Sequence, residues 1–228
     1  SAALVEKVVF QDRAPYRDLF LARESFLTPE LAKHYGLPAV TKEGWTPYAS
    51  AERLGLLSHG AFLSSFANIG DTSPVKRGKG VQNRLLCRRF ALPVDANVDV
   101  DAKPAEDECR IDFFRNTHAG GACAACHKAL DGVGFGLERF DRTGAPRTHE
   151  LGKPNCPLDG KGELDEKPFE GPAGLAKLVT EHEDFQPCVV EQMTRFYLGQ
   201  DPTGTPQGEA YLSSLRERVA GKDFQMQD

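Results

Sequence analysis

One short stretch constrains this chain more than any other: residues 123–127 read Cys-Ala-Ala-Cys-His. Two cysteines separated by two residues and followed by a histidine form the attachment sequence of a c-type haem. The thiols of Cys123 and Cys126 would bond covalently to the haem, and the imidazole of His127 would bind the iron on its proximal side. The stretch therefore predicts one covalently held haem c, around which this part of the chain must fold.

The surroundings of the cysteine pair weigh against two other uses. A thioredoxin-like redox pair is expected in a βαβ context, and neither Gly120-Gly121 before the motif nor Leu130-Asp131-Gly132 after it is typical of one. A structural zinc site needs a second ligand pair at zinc-finger spacing, which the sequence does not contain. A redox or structural cysteine pair beside an unrelated histidine remains the alternative to covalent haem.

The other cysteines indicate an oxidising compartment. The chain has six cysteines, and two in the motif leave four: Cys87, Cys109, Cys156 and Cys188. Four cysteines allow three pairings, and two disulfides are expected in an exported protein. Our first choice is Cys87–Cys188 with Cys109–Cys156, but the sequence leaves the pairing open, and four reduced, buried thiols are the alternative. The expected location is the periplasm or the extracellular space.

The net charge and the hydropathy of the chain argue against nucleic acid and the membrane interior as its surroundings. The formal net charge of −5 argues against a surface that binds nucleic acid. No run of 18 apolar residues occurs, so the sequence predicts no transmembrane segment. Residues from Ala2 to Phe10 are expected to form a helix, and we expect a processed or excised chain whose export signal lies elsewhere.

Helix signals recur through the chain. Thr28-Pro29 and Ser73-Pro74 each place an N-cap residue before a proline at the first helical position. A third short helix is expected after Ser58. These signals favour a mainly α fold.

The predicted architecture has two helical lobes. Residues 1–104 form a helical N-terminal lobe and its linker, in which residues 1–36 are helical and residues 37–50 form a loop. This lobe packs on a cytochrome c-like, haem-binding helical lobe, residues 105–228. A small β-hairpin insertion is expected within the turn-rich residues 144–170.

Two residues are candidates for the distal face of the haem iron. His59 lies at the first turn of a short apolar segment, where a lone histidine is more commonly a hydrogen-bonded core residue. The thioether of Met193 would raise the redox potential as a ligand, or it fills the core on an apolar helix face. An open distal face is the third possibility.

Aromatic and basic residues are predicted to surround the haem. Phe135 and Phe140 lie in the glycine-rich stretch after the motif and could line a flat ligand. Free N–H groups at the helix start after Ser73, together with basic side chains, attract anions such as haem propionates; a solvated, capped helix start is the alternative. The candidates for binding propionates are Lys76, Arg77, Arg139, Arg142 and Arg147.

Two groups of motifs occur in the order typical of one known family. The first group is residues 55–63 and 72–79. The second is residues 123–127, 134–141, 158–164 and 197–199, with Gly144 and Arg147. Together they resemble the planctomycete-type group of large exported cytochrome c proteins, which are built from consecutive domains of unknown function.

The resemblance covers about residues 10–200 and implies an exported protein with covalent haem. The usual N-terminal parts of the family are absent, so the resemblance implies a possible partner in the missing part of a larger precursor. It favours a role for His59, because the family's pattern carries a histidine at the matching place. It gives no such support to Met193.

We therefore expect an exported mono-haem c-type cytochrome that passes electrons to a redox partner protein docking at the haem edge. The first alternative is a haem c enzyme, peroxidase- or oxidase-like, with an open or displaceable distal site. The second is an interaction module in which the haem is structural.

Overall fold

The computed structural model describes residues 1–90, 104–121 and 124–220. Cys123, one of the two predicted attachment cysteines, lies outside the described residues. So does most of the predicted linker that ends at residue 104.

The described chain is mainly helical, as the sequence predicts. The helices are α1 (Ala2–Val5, continued by a π-helix over Glu6–Gln11), α2 (Asp18–Leu21), α3 (Pro29–His34), α4 (Gly60–Ser65), α5 (Pro74–Leu85), α6 (Arg110–Thr117), α7 (Ala124–Phe135), α8 (Gly171–Thr180), α9 (Phe185–Leu198) and α10 (Pro206–Ala220). A 3₁₀ turn spans Leu56–Ser58. The strands are β1 (Glu24–Leu27), β2 (Gly44–Pro47), β3 (His149–Glu150), β4 (Lys153–Pro157), β5 (Lys161–Leu164) and β6 (Lys167–Glu170).

The strands form small antiparallel pairs, β1–β2, β3–β4 and β5–β6. The hairpin expected within residues 144–170 is present, and the region contains two such pairs rather than one. The pair β1–β2 was not predicted, because its strands lie in the stretches assigned to helix and loop. In this pair Phe26 is opposite Trp45, and their rings meet edge to face at 5.9 Å.

Local capping explains where two helices begin. The hydroxyl of Thr28 accepts the N–H of the third residue along at 3.2 Å, and that of Ser73 does the same at 3.3 Å. Both N-caps were predicted. The cap expected at Ser58 is wrong: its hydroxyl donates to the carbonyl of Gly55 at 2.9 Å, and His59 occupies the N-cap position of α4.

One hydrophobic cluster contains residues of both predicted lobes. Buried members include Phe20 and Val81 from the first lobe and Val133, Phe140 and Val189 from the second. Burial of such side chains is the main stabilising contribution to a fold. The two sets of helices therefore share a core, and the lobe boundary at residue 104 stays a prediction.

Helices α5 and α7 cross in direct backbone contact. A Cβ added at Gly78 on α5 would overlap the carbonyl oxygen of Leu130, and one added at Gly134 on α7 would overlap that of Pro74. Only glycine permits so close an approach. The crossing fixes α7, which carries His127, against the core.

Two disulfides tie the helices to the rest of the chain. Cys87–Cys188 joins the residues after α5 to α9, and Cys109–Cys156 joins the start of α6 to β4. This confirms the first-choice pairing and fits an exported protein. Cys126 is unpaired.

None of the helices in the described ranges combines the length and the apolar character needed to cross a membrane.

Candidate functional site

A cavity of about 510 Å³ lies between α6, α7 and β5. This volume is within the range usual for small-molecule and cofactor sites. Its wall is partly aromatic and partly charged. The lining side chains used below are Phe114, Arg115, His118, His127, Lys128, Asp131, Phe135, Lys161 and Glu163.

His127 and Asp131 face this cavity together because they are four residues apart on α7, and residues at that spacing share a helix face. The Nδ1 atom of His127 is 3.2 Å from each carboxylate oxygen of Asp131. An ionised carboxylate only accepts hydrogen bonds, so the imidazole donates its Nδ1 hydrogen. The lone pair of Nε2 then remains available for another bond.

His118 is a second imidazole at the same carboxylate. It follows the last residue of α6, and its Nδ1 lies 2.5 Å from Oδ2 of Asp131. The ring centroids of His118 and His127 are 3.6 Å apart. One ligand atom from each of the three side chains lies within 4.8 Å of the others, close enough to hold a metal ion.

Polar anchors at the start of α6 hold this wall in place. None of the eight residues of the helix is fully buried, so its apolar side chains fix it less firmly than a buried face would. The carboxylate of Glu150 accepts the backbone N–H groups of Arg110 and Ile111 at 2.8 and 3.0 Å. These are two of the N–H groups that a helix start leaves unpaired. The Cys109–Cys156 disulfide reinforces the same end.

One of the two aromatic residues predicted to line a haem is at the cavity. Phe135 forms part of its wall, and the guanidinium of Arg115 lies 5.2 Å from its ring centroid. Phe140 is 2 % exposed and belongs to the hydrophobic cluster, with Arg53 stacked on it at 4.5 Å. The structure does not bring Phe140 to the cavity.

Arg77 on α5 was predicted to bind a haem propionate. In the structure it instead forms hydrogen bonds within the core. Arg77 has no exposed surface. Its guanidinium donates to the carbonyls of Leu137, Phe140 and Asp141 at 2.7–2.8 Å, and to Glu138 at 3.1 Å. Burial lowers the pKa of Arg77, while the Glu138 charge opposes that shift. The Nε–H of Arg77 has no partner but is buried, so the side chain presents no donor to an external anion.

The other predicted propionate-binding residues also lie away from the cavity lining. Arg147 pairs with Glu138 at 2.7 Å, and Arg139 pairs with Glu52 at 2.6 Å. Arg142 donates to a backbone carbonyl at 2.7 Å. Lys76 is exposed on α5. The basic side chains that do line the cavity are Arg115, Lys128 and Lys161.

The sequence left His59 as either a distal haem ligand or a hydrogen-bonded core residue. In the structure it is a hydrogen-bonded core residue. It is 2 % exposed, and both ring nitrogens have partners: Nδ1 meets the Ser1 hydroxyl at 3.0 Å, and Nε2 meets the Tyr48 hydroxyl at 2.9 Å. It does not line the cavity. Burial lowers the pKa of His59 to about 4, and the positive charges of the Ser1 ammonium and Arg53 act in the same direction.

Met193, the second distal candidate, is also absent from the cavity lining. Its side chain is partly buried and packs against the hydrophobic cluster. This is the core-filling role that the sequence analysis weighed against ligation.

The lowered pKa of His59 predicts that stability falls in mild acid. As the pH drops from about 6.5 to about 4, the unfolded chain binds a proton at this imidazole and the folded chain does not. The free energy of unfolding therefore decreases by about 3 kcal/mol across that window, and the contribution is complete above it. Urea unfolding at a series of pH values measures this slope.

The variant His59→Gln should flatten the slope. His149→Gln, at an exposed histidine, is the matched control and should leave the slope unchanged. An equal slope in His59→Gln and in the unaltered protein would contradict the assignment.

Sequence reasoning missed His118. A hydrogen bond between residues 13 positions apart, across two helices, has no local spacing signature. The four-residue spacing of His127 and Asp131 was a usable signal, because it places both side chains on one face of a helix such as α7 and points to a carboxylate partner for the imidazole.

The fold and the cavity define a mainly helical, disulfide-bonded chain with an imidazole–carboxylate cluster beside an unpaired cysteine. Residues 53–150 match the model of the PSCyt3 family, described as a protein of unknown function (DUF1588). The match covers less than half of the 228 residues. It is consistent with the planctomycete cytochrome c-type family suggested by the motifs. No curated protein and no solved structure matched the chain significantly.

Proposed function

We propose that this chain is an exported mono-haem c-type cytochrome that transfers electrons through a covalently bound haem. The observation that carries the proposal is an unpaired cysteine next in sequence to a histidine of the cavity wall. Cys126 is unpaired, directly before the cavity histidine His127, whereas the four cysteines outside the motif are joined in disulfides. In an oxidising compartment, an unpaired thiol at this position fits a residue reserved for attachment to a cofactor.

The residues that line the cavity suit a haem in their chemistry, and Cys126 is adjacent in sequence to the lining residue His127, although it is not itself part of the lining. Cys126, together with Cys123, would form the thioether bonds, and Nε2 of His127 would bind the iron. Phe114 and Phe135 offer apolar contact to the porphyrin. The iron supplies one-electron transfer between its ferric and ferrous states.

The propionates need different partners from those that the sequence suggested. Arg115, Lys128 and Lys161 line the cavity and carry positive charge. Of these, Lys128 is 70 % exposed in its side chain, with one weak pairing to Glu166 at 3.4 Å. Such a side chain can exchange its carboxylate partner at small cost, because exposed ion pairs contribute little.

The second candidate function is a haem enzyme with an open distal face. It is favoured by one observation: neither His59 nor Met193 lines the cavity. An iron with a free or displaceable sixth position can bind a small substrate such as a peroxide. Electron transfer remains our first proposal, since no catalytic pair was identified in the sequence.

The test is covalent haem attachment. The chain should be expressed with an export signal and a haem-attachment system, and then run on a denaturing gel stained for haem. We expect a stained band that disappears in the Cys123→Ala/Cys126→Ala double variant, because both thioether bonds are lost. Glu43→Gln, at an exposed side chain outside the cavity lining, is the control and should stain normally. An unstained unaltered chain would disprove the proposal.

The optical spectrum separates the two candidates. An electron carrier should give a low-spin ferrous spectrum that carbon monoxide does not change. Immediate binding of carbon monoxide, with turnover of added peroxide, would instead support the enzyme.

A further inference from the structure

We propose that Asp131 is the positioning residue of the haem site. Its carboxylate accepts hydrogen bonds from both His127 and His118, and this sharing sets how strongly His127 donates electrons to the iron. This inference rests on the proposed function, because it concerns a bound haem. Its consequences differ from those of haem attachment and can be measured separately.

Asp131 is nearly buried, with 6 % of its side chain exposed. A carboxylate removed from water must be compensated by hydrogen bonds or opposite charge. Its oxygens are within 3.2 Å of two imidazole nitrogens, one from each histidine. The two histidines therefore balance the burial of Asp131, and Asp131 in turn fixes both rings.

The hydrogen bond fixes which nitrogen of His127 can bind a metal. Donation from Nδ1–H to a carboxylate selects the tautomer whose lone pair is on Nε2, and it makes the ring a stronger electron donor. A stronger donor stabilises ferric iron relative to ferrous iron. Asp131 should therefore hold the midpoint potential below the value that His127 alone would give.

His118 weakens this effect because it competes for the same carboxylate. Its bond to Oδ2 is the shorter, 2.5 Å against 3.2 Å for His127. Its ring also lies against that of His127, with 3.6 Å between the centroids, and against Phe114 at 5.2 Å. His118 is thus held by packing as well as by the hydrogen bond.

The two partners predict shifts of opposite sign. Asp131→Asn removes the charged acceptor, so the midpoint potential should rise. His118→Phe keeps an aromatic ring against His127 and removes the competing donor, so Asp131 should accept more strongly from His127 and the potential should fall. Glu217→Gln removes one negative charge from an exposed position on α10, outside the cavity lining, and should leave the potential unchanged.

The measurement is a redox titration of each haem-loaded variant, followed optically. A role limited to structure would expose the haem and shift both variants in the same direction. Shifts of the same sign, or no shift in Asp131→Asn, would overturn the inference while leaving covalent haem intact. If Asp131→Asn does not fold, His118→Phe decides alone, since an unchanged or raised potential contradicts the inference. Absence of haem from the unaltered chain would count against the proposed function.

Discussion

Replacing Arg77 with methionine should lower the free energy of unfolding by about 3–5 kcal/mol. Methionine keeps much of the apolar stem and removes the guanidinium. Three backbone carbonyls then lose the guanidinium: that of Phe140 is left without a donor, whereas those of Leu137 and Asp141 each keep one backbone N–H at 3.3 Å. Glu138, which is 1 % exposed, loses one of its positive partners. The loss follows from the Phe140 carbonyl, because a buried acceptor without a donor keeps its full desolvation cost, and from the weaker compensation of the buried Glu138 charge.

The matched control for this prediction is Arg139→Met. Arg139 is adjacent in sequence to Glu138, but its side chain is 26 % exposed and its partners are the surface carboxylates Glu52 and Glu170. Exposed pairs of this kind contribute about 0–1 kcal/mol. Urea unfolding of both variants at one pH provides the comparison. Equal losses of unfolding free energy in the two variants would show that the buried network stabilises the fold no more than the exposed ion pairs do.

The variant Gly134→Ala, which adds one methyl group, should lower the free energy of unfolding by about 3 kcal/mol or more. The new Cβ would overlap the carbonyl oxygen of Pro74. Backbone atoms cannot rotate away as a side chain can, so α7 must move off α5. Since α7 also carries His127 and Asp131, the displacement should reduce the yield of haem-loaded protein as well as stability.

Gly120→Ala is the control for the crossing. A Cβ at Gly120 would have no neighbour within 4 Å, so we expect a change within about 0.5 kcal/mol. Thermal unfolding and the haem stain, measured together on both variants, test the prediction. A Gly134→Ala protein as stable and as well loaded as Gly120→Ala would contradict the close approach of the two helices.

The sequence predicted those features of the fold that depend on neighbours along the chain. The N-caps at Thr28 and Ser73 were recognisable because a cap and the N–H that it satisfies are three residues apart. The pair β1–β2 was not recognisable, because its two strands are short and have no tight turn between them. Their pairing depends on how the flanking helices pack.

In the candidate site, too, the sequence predicted what depends on neighbours along the chain and missed what depends on packing. The motif identified His127 from residues 123–127 alone. The roles of the arginines could not be predicted, because a basic residue near a helix start looks the same in sequence whether it faces solvent or, like Arg77, is fully buried. His118 was missed for a related reason: its place beside Asp131 depends on the packing of α6 on α7.

The order of the cysteines along the chain gives the two disulfides a further consequence. The loop closed by Cys109–Cys156 lies entirely within the larger loop closed by Cys87–Cys188, and residues 123–127 lie within both. The loops are nested and not interlaced, so either bond can form first without threading one loop through the other. Each closed loop also limits how far an unfolded chain can expand. Residues 109–156, which include the Cys-Ala-Ala-Cys-His stretch, are therefore constrained by both bonds in the unfolded chain, whereas residues 88–108 and 157–187 are constrained by one.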